Sequence, residues 1–68
     1  MEIQIKDDFI KLGQAMKLAN LVSDGAQAKL MIAEGLVKVN GETELRRGRK
    51  LYPGDGFFYE GKEVKVVH

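Results

Sequence analysis

Sixty-eight residues with no Cys leave room for one small core and for no disulfide or Cys-ligated metal. The formal net charge is +1, from 11 Lys and Arg against 10 Asp and Glu. That balance excludes a bulk polycation, so any affinity for a polyanion has to come from where the cations sit.

Met1 to Ile5 alternates, with Ile3 and Ile5 on one face, and predicts a short strand. Asp7 or Asp8 can then cap a helix running from about Asp8 to about Leu21. Phe9, Leu12, Met16 and Ala19 form its apolar stripe, and Lys11, Gln14 and Lys17 recur on its polar side. Ser23 is the expected N-cap of a second helix from about Asp24 to Glu34, and Gly35 is its stop. Ala28, Met31 and Ile32 face inward, whereas Leu30 lies off that face.

After Gly35 the period changes. Leu36 to Val39 predicts a strand, and Asn40-Gly41 is a strong hairpin signal. Glu42 to Arg49 is polar and reads as loop or sheet edge. Lys50 to Tyr52 is a short strand ended by Pro53-Gly54-Asp55, which suits a type II turn. Phe57 to Tyr59 and Val64 to Val67 are two further strands joined by Glu60-Gly61-Lys62. The expected fold is α+β: two packed helices against a small, mainly antiparallel sheet, as one domain over residues 1–68.

Catalytic chemistry finds no foothold in these residues. The one His is His68, at the chain end. Ser23 reads as a helix cap, not a nucleophile. Asp7, Asp8, Asp24 and Asp55 read as caps and turn formers. Glycines are isolated, so no phosphate-cradling loop is present. The expectation is no enzyme, no cofactor, no metal and no small-molecule substrate. No apolar stretch approaches 18 residues and no signal-like run opens the chain, so a cytoplasmic protein without a membrane partner is expected.

The informative feature is local charge. Arg46-Arg47-Gly48-Arg49-Lys50 carries four cations and no acid. Arg, Lys, hydroxyl and amide groups are those that contact nucleic-acid phosphates, and Arg adds two-point pairing.

Lys11-Leu12-Gly13, then Ser23, then Ala28-Lys29-x-x-Ile32-x-x-Gly35-x-Val37-Lys38-Val39-Asn40-Gly41, run without gaps. Arg46-Arg47-x-Arg49-Lys50-Leu51 and Pro53-Gly54-Asp55 follow. This pattern resembles the RNA-binding domain named after small-subunit ribosomal protein S-four, the alpha-L motif, in its stand-alone YaaA/YbcJ form. The resemblance implies a non-catalytic module whose helix pair and adjoining hairpin meet structured RNA. Ribosomal RNA, tRNA or a ribosomal particle are the partners it implies.

The implied RNA-facing residues are Lys11 and Gln14 on the first helix, and Ser23, Gln27 and Lys29 on the second. Lys38 and Asn40 are implied at the hairpin, and Arg46, Arg47, Arg49 and Lys50 join them from the basic loop. Two positions depart from the family pattern. Gly13 stands where an acid is common, and Gly25 where an Arg is common. The loss of that Arg, the low net charge and the off-face Leu30 favour an alternative, a protein–protein adaptor that keeps the fold without RNA.

Overall fold

Alternation along the longer strands decides the architecture, because each of them has one apolar side to bury. The computed structural model describes all 68 residues. Strand β1 (Glu2–Gln4) is followed by β2 (Ile10–Lys11), then α1 (Leu12–Leu18) and α2 (Gly25–Ala33). Five more strands complete the chain: β3 (Val37–Val39), β4 (Glu42–Thr43), β5 (Lys50–Leu51), β6 (Gly56–Tyr59) and β7 (Lys62–Val67). The main sheet has the order β1-β7-β6-β3-β4, and β2 and β5 pair separately. Only the β1–β7 pair is parallel.

Ile3, Val37, Val39, Phe57, Tyr59, Val64 and Val66 point to the core from the sheet. Leu12, Ala15, Met16 and Ala19 from the α1 segment, and Ala28 and Ile32 from α2, close over them. The aromatic triplet obeys the strand period. Phe57 and Tyr59 are buried, and Phe58 between them is exposed.

Turn chemistry sets the registers. Asn40 and Gly41 both take positive φ, as do Glu60 and Gly61. These are the conformations that two-residue hairpins need between Val39 and Glu42 and between Tyr59 and Lys62. At Tyr52 to Asp55 the Asp55 N–H donates to the Tyr52 carbonyl at 2.8 Å, with Gly54 at φ 101°. That is the expected type II turn.

Two expectations need correction. The first helix starts at Leu12, not near Asp8, and ends at Leu18 with Ala19 as its C-cap. Ile10 and Lys11 are drawn into a strand pair with Leu51 and Lys50. The free N–H groups of Leu12 and Gly13 donate to the carbonyls of Arg49 (2.9 Å) and Arg47 (3.0 Å), so Asp7 and Asp8 are not needed as caps. Phe9 is consequently half-buried beside the β2–β5 pair and outside the core stripe. The second helix is capped by Asp24, not Ser23. The Asp24 carboxylate accepts from the Gln27 N–H at 2.8 Å. Ser23 sits one residue earlier and donates both its N–H (2.8 Å) and its hydroxyl (2.9 Å) to the Gln27 side-chain oxygen. The Asp24–Gln27 and Ser23–Gln27 bonds together make a capping arrangement around the first turn.

Candidate nucleic-acid interface

The carbonyls that cap α1 belong to the basic loop, and this fixes the loop's place. Donation by Leu12 and Gly13 holds residues 47–49 against the first turn of α1. The result is a hollow of about 290 Å³ lined by Lys11, Gly13, Gln14, Lys17, Arg47 and Gly48. No acid lines it. Lys11 and Lys50 lie directly opposite each other in the β2–β5 pair, and both are exposed. Like charges in that relation repel. The Lys50 ammonium is held 4.7 Å from the centre of the Phe9 ring, which in turn lies 5.9 Å from the Tyr52 ring. A ring face orders an ammonium without neutralising it, at about 0.5–1 kcal/mol for an exposed pair.

Gly13 lies against the loop, but the assembly does not depend on its lack of a side chain, because an added Cβ would meet only ordinary van der Waals contacts. A Cβ there would lie 3.7 Å from both the Cβ and the carbonyl oxygen of Arg47, and 3.9 Å from the Cβ of Ala28. An acidic side chain at this position would begin beside Arg47. With Gly, Arg47 forms no ion pair.

Arg46 and Arg49 are differently placed. Both pair with Glu44, the one charged residue that is buried. Its carboxylate accepts from the Arg46 N–H (3.1 Å), Nε (3.0 Å) and Nη2 (3.2 Å), and from Arg49 Nη1 (2.8 Å). Hydrogen bonds from the Arg46 and Arg49 side chains outweigh the cost of burial and hold the Glu44 carboxyl down at about 2, against a usual 4.5. The Arg46 side chain stays 73% exposed and that of Arg49 36%. Each therefore keeps N–H groups free for a second partner.

Lys38 and Asn40 belong to a separate place. They line a second hollow, of about 280 Å³, with Phe58, Glu63 and Lys65. The Asn40 amide is committed to the fold: its oxygen accepts from the Gly56 N–H (3.0 Å) and its nitrogen donates to Asp55 (3.1 Å). Lys29 is exposed on α2 but lines neither hollow. Ser23 and Gln27 meet each other at the start of α2. The structure thus unites Lys11, Gln14, Arg47 and Lys50, and sets Lys38 and Asn40 apart.

Two further residues matter: Lys17 lines the first hollow, and Glu44 holds Arg46 and Arg49 next to it. Lys17 was legible only as polar helix surface, and its three-residue spacing from Gln14 is the signal that places it there. In the sequence Glu44 falls in the polar stretch that reads as loop or sheet edge. An acid two residues before Arg46 and five before Arg49 is a weak signal, and only the folded loop brings all three together.

Two short helices packed against a mixed sheet of short strands match the alpha-L class of domain. The sequence profile of the S4 domain family matches residues 3–67, and the chain belongs to that family. It is 48% identical over 59 residues to the Bacillus subtilis (strain 168) protein named "Probable ribosome maturation protein RlbA", covering 87% of this chain and 83% of that one. It is 40% identical over 62 residues to YbcJ of Escherichia coli (strain K12), covering 91% and 89% of the two chains. The solution structure of E. coli YbcJ, described as revealing an alpha-L motif involved in RNA-binding, superimposes with a TM-score of 0.75. That comparison covers 98% of this chain and 86% of the other, at 37% identity. No helix is long and apolar enough to cross a membrane.

Proposed function

We propose that this domain binds structured RNA, without turnover, through Lys11, Gln14, Lys17, Arg47 and Lys50, with the free edges of Arg46 and Arg49 beside them. One observation carries the reading. Four cations from two distant stretches of chain, 11–17 and 47–50, stand together with no acid paired to any of them. Such crowding raises the energy of the free protein, and a polyanion relieves it. The description of E. coli YbcJ as RNA-binding supports the ligand class. The name of the B. subtilis relative supports ribosomal RNA or a maturing ribosomal particle over tRNA.

A-form RNA presents its backbone and 2′-hydroxyls more readily than its base edges. Recognition by shape and phosphate is therefore the expected mode. No carboxylate, imidazole, thiol or hydroxyl lines the hollow, so the reading is of binding alone. Lys38 and Lys65 offer a second contact area, but Glu63 beside them weakens its pull on phosphate.

Titration of a folded ribosomal RNA fragment and of an unstructured RNA at 50 and 200 mM salt tests the reading. Neutralising four phosphates corresponds to a loss of about a hundredfold across that range, and six to about a thousandfold. Arg47→Ala should weaken binding to all RNAs alike and flatten the salt slope by about one. Salt-independent or absent binding would sink the proposal. The adaptor reading rests on Leu30, which is 53% exposed. It requires Leu30→Asp to abolish partner binding while Arg47→Ala leaves it intact.

A further inference from the structure

We propose that Glu44, although negatively charged, is a positioning residue that raises the affinity of the basic surface for RNA. The inference rests on the RNA-binding reading above.

A point-charge view says the opposite. An acid beside a phosphate-binding surface repels the ligand, and its removal should help. The geometry argues against that view. Glu44 is fixed to the sheet, because its N–H donates to the Val37 carbonyl at 3.0 Å. Its side chain is buried and takes four hydrogen bonds, all from Arg46 and Arg49. Two guanidiniums on one carboxylate leave the trio with a net charge of +1, and the positive edges are the exposed ones.

The trio also latches the loop. The Arg49 N–H donates to the Arg46 carbonyl at 3.2 Å and closes a turn. The carbonyls of Arg47 and Arg49 in that turn receive the first N–H groups of α1. Glu44 therefore links β3 to the start of α1 through the basic loop, and so sets where Arg47 stands relative to Lys11 and Lys17. Without the carboxylate, two Arg side chains and the loop would have to be ordered by the RNA itself. Ordering two long side chains on binding lowers affinity by roughly tenfold.

The test has opposite signs for the two views. Glu44→Gln should raise the Kd for a folded ribosomal RNA fragment about tenfold and leave the salt slope unchanged, because the same phosphate contacts form at a higher ordering cost. Under the point-charge view the Kd falls and the slope steepens. Coupling separates positioning from a general loss of structure. In an Arg47→Ala background the Glu44→Gln effect should shrink to about threefold or less, because the residue being positioned is gone. Arg49→Lys adds a variant that keeps every charge and loses the fork. It should weaken binding by about threefold in a chain whose circular dichroism is unchanged, and equal binding would overturn the proposal. A wild-type chain that binds no RNA refutes the function itself. A wild-type chain that binds, with Glu44→Gln binding as well or better, refutes only the role of Glu44.

Discussion

Helices α1 and α2 stop by one device and start by two. At each C-terminus a residue with positive φ follows the cap, Asn20 at 62° and Gly35 at 79°. The next N–H reaches back to the helix, Leu21 to the Met16 carbonyl (3.0 Å) and Leu36 to that of Met31 (3.2 Å). Both are Schellman stops. The N-termini differ. Helix α2 is started by its own neighbours, Asp24 and the Ser23–Gln27 pair. Helix α1 has a longer local contact, the Lys11 N–H donating to the Gln14 side-chain oxygen at 3.4 Å, and adds the carbonyls of Arg47 and Arg49, from a distant part of the chain. A local cap fixes only a helix. A distant cap also fixes whatever the distant segment carries, and here that segment carries cations. The hydrogen bonds that start α1 are the same ones that assemble the candidate site.

The largest break in this arrangement should come from Leu51→Ala. Leu51 is fully buried and pairs with Ile10, holding β5 and the loop before it against the start of α1. Truncating such a side chain costs about 2–5 kcal/mol. In a domain this small, that lowers Tm by about 10 °C or more. Hydrogen exchange sharpens the comparison. The amides of Leu12 and Gly13 should lose more protection than those of α2. An equal loss in both helices would mean that β5 supports the whole core and not the start of α1 in particular.

Acid should act next most strongly, and again on the α1 side. The Glu44 carboxyl is held at about 2 in the fold, below its usual 4.5. A carboxyl depressed in the folded state binds its proton more readily when unfolded. Its contribution is complete above about 4.5 and is lost as pH falls toward 2. Water around the two guanidiniums discounts the effect to about 1–2 kcal/mol. Urea unfolding of wild type and Glu44→Gln at pH 6 and pH 2.5 checks it. The gap between them should narrow by that amount on acidification, and a constant gap would contradict the assigned pairing.

The same contrast explains what the sequence could tell. The second helix was legible to within one residue at its start, because every group that ends or begins it lies within a few positions. The two hairpins and the Pro53-Gly54 turn were legible for the same reason, since turn chemistry is written in adjacent residues. The first helix was placed four residues too early. Asp7 and Asp8 are good local caps, and nothing nearby announces that carbonyls from the 47–49 loop will do the task instead. The candidate site divides likewise. Lys11 and Gln14 were expected at the site from the resemblance to the family, and Arg47 from the basic run. Their union with Lys17, the role of Glu44 and the separation of Lys38 and Asn40 depend on contacts between distant segments.

A smaller effect should follow from Asp24→Ala, the counterpart of the loop latch on the other helix. Losing a side-chain cap costs about 1 kcal/mol. The loss should appear in the first-turn amides of α2 and leave those of Leu12 and Gly13 protected. RNA affinity should fall by about twofold or less if α1 and the basic loop carry most of the contact. A larger fall would move the centre of the interface toward the start of α2.

Gly25→Arg should change stability least and settle which helix start meets RNA. Gly25 is the first residue of α2, and a Cβ there would touch nothing within 4 Å. Its φ is not in the left-handed region, so a side chain is accepted without strain. Arg has a better helix propensity than Gly, by up to about 1 kcal/mol. A cation at a helix N-terminus opposes the helix dipole, at about 0.3–1 kcal/mol. The two nearly cancel, leaving stability within about 0.5 kcal/mol of wild type. RNA affinity is then a clean reading of place. If phosphates pass over the first turn of α2, one more contact should steepen the salt slope by about one and tighten binding several-fold. If RNA stays on the Lys11, Lys17 and Arg47 side, the slope should hold. In that case α2 serves the interface only by packing against α1, whose first turn holds the Arg47 carbonyl.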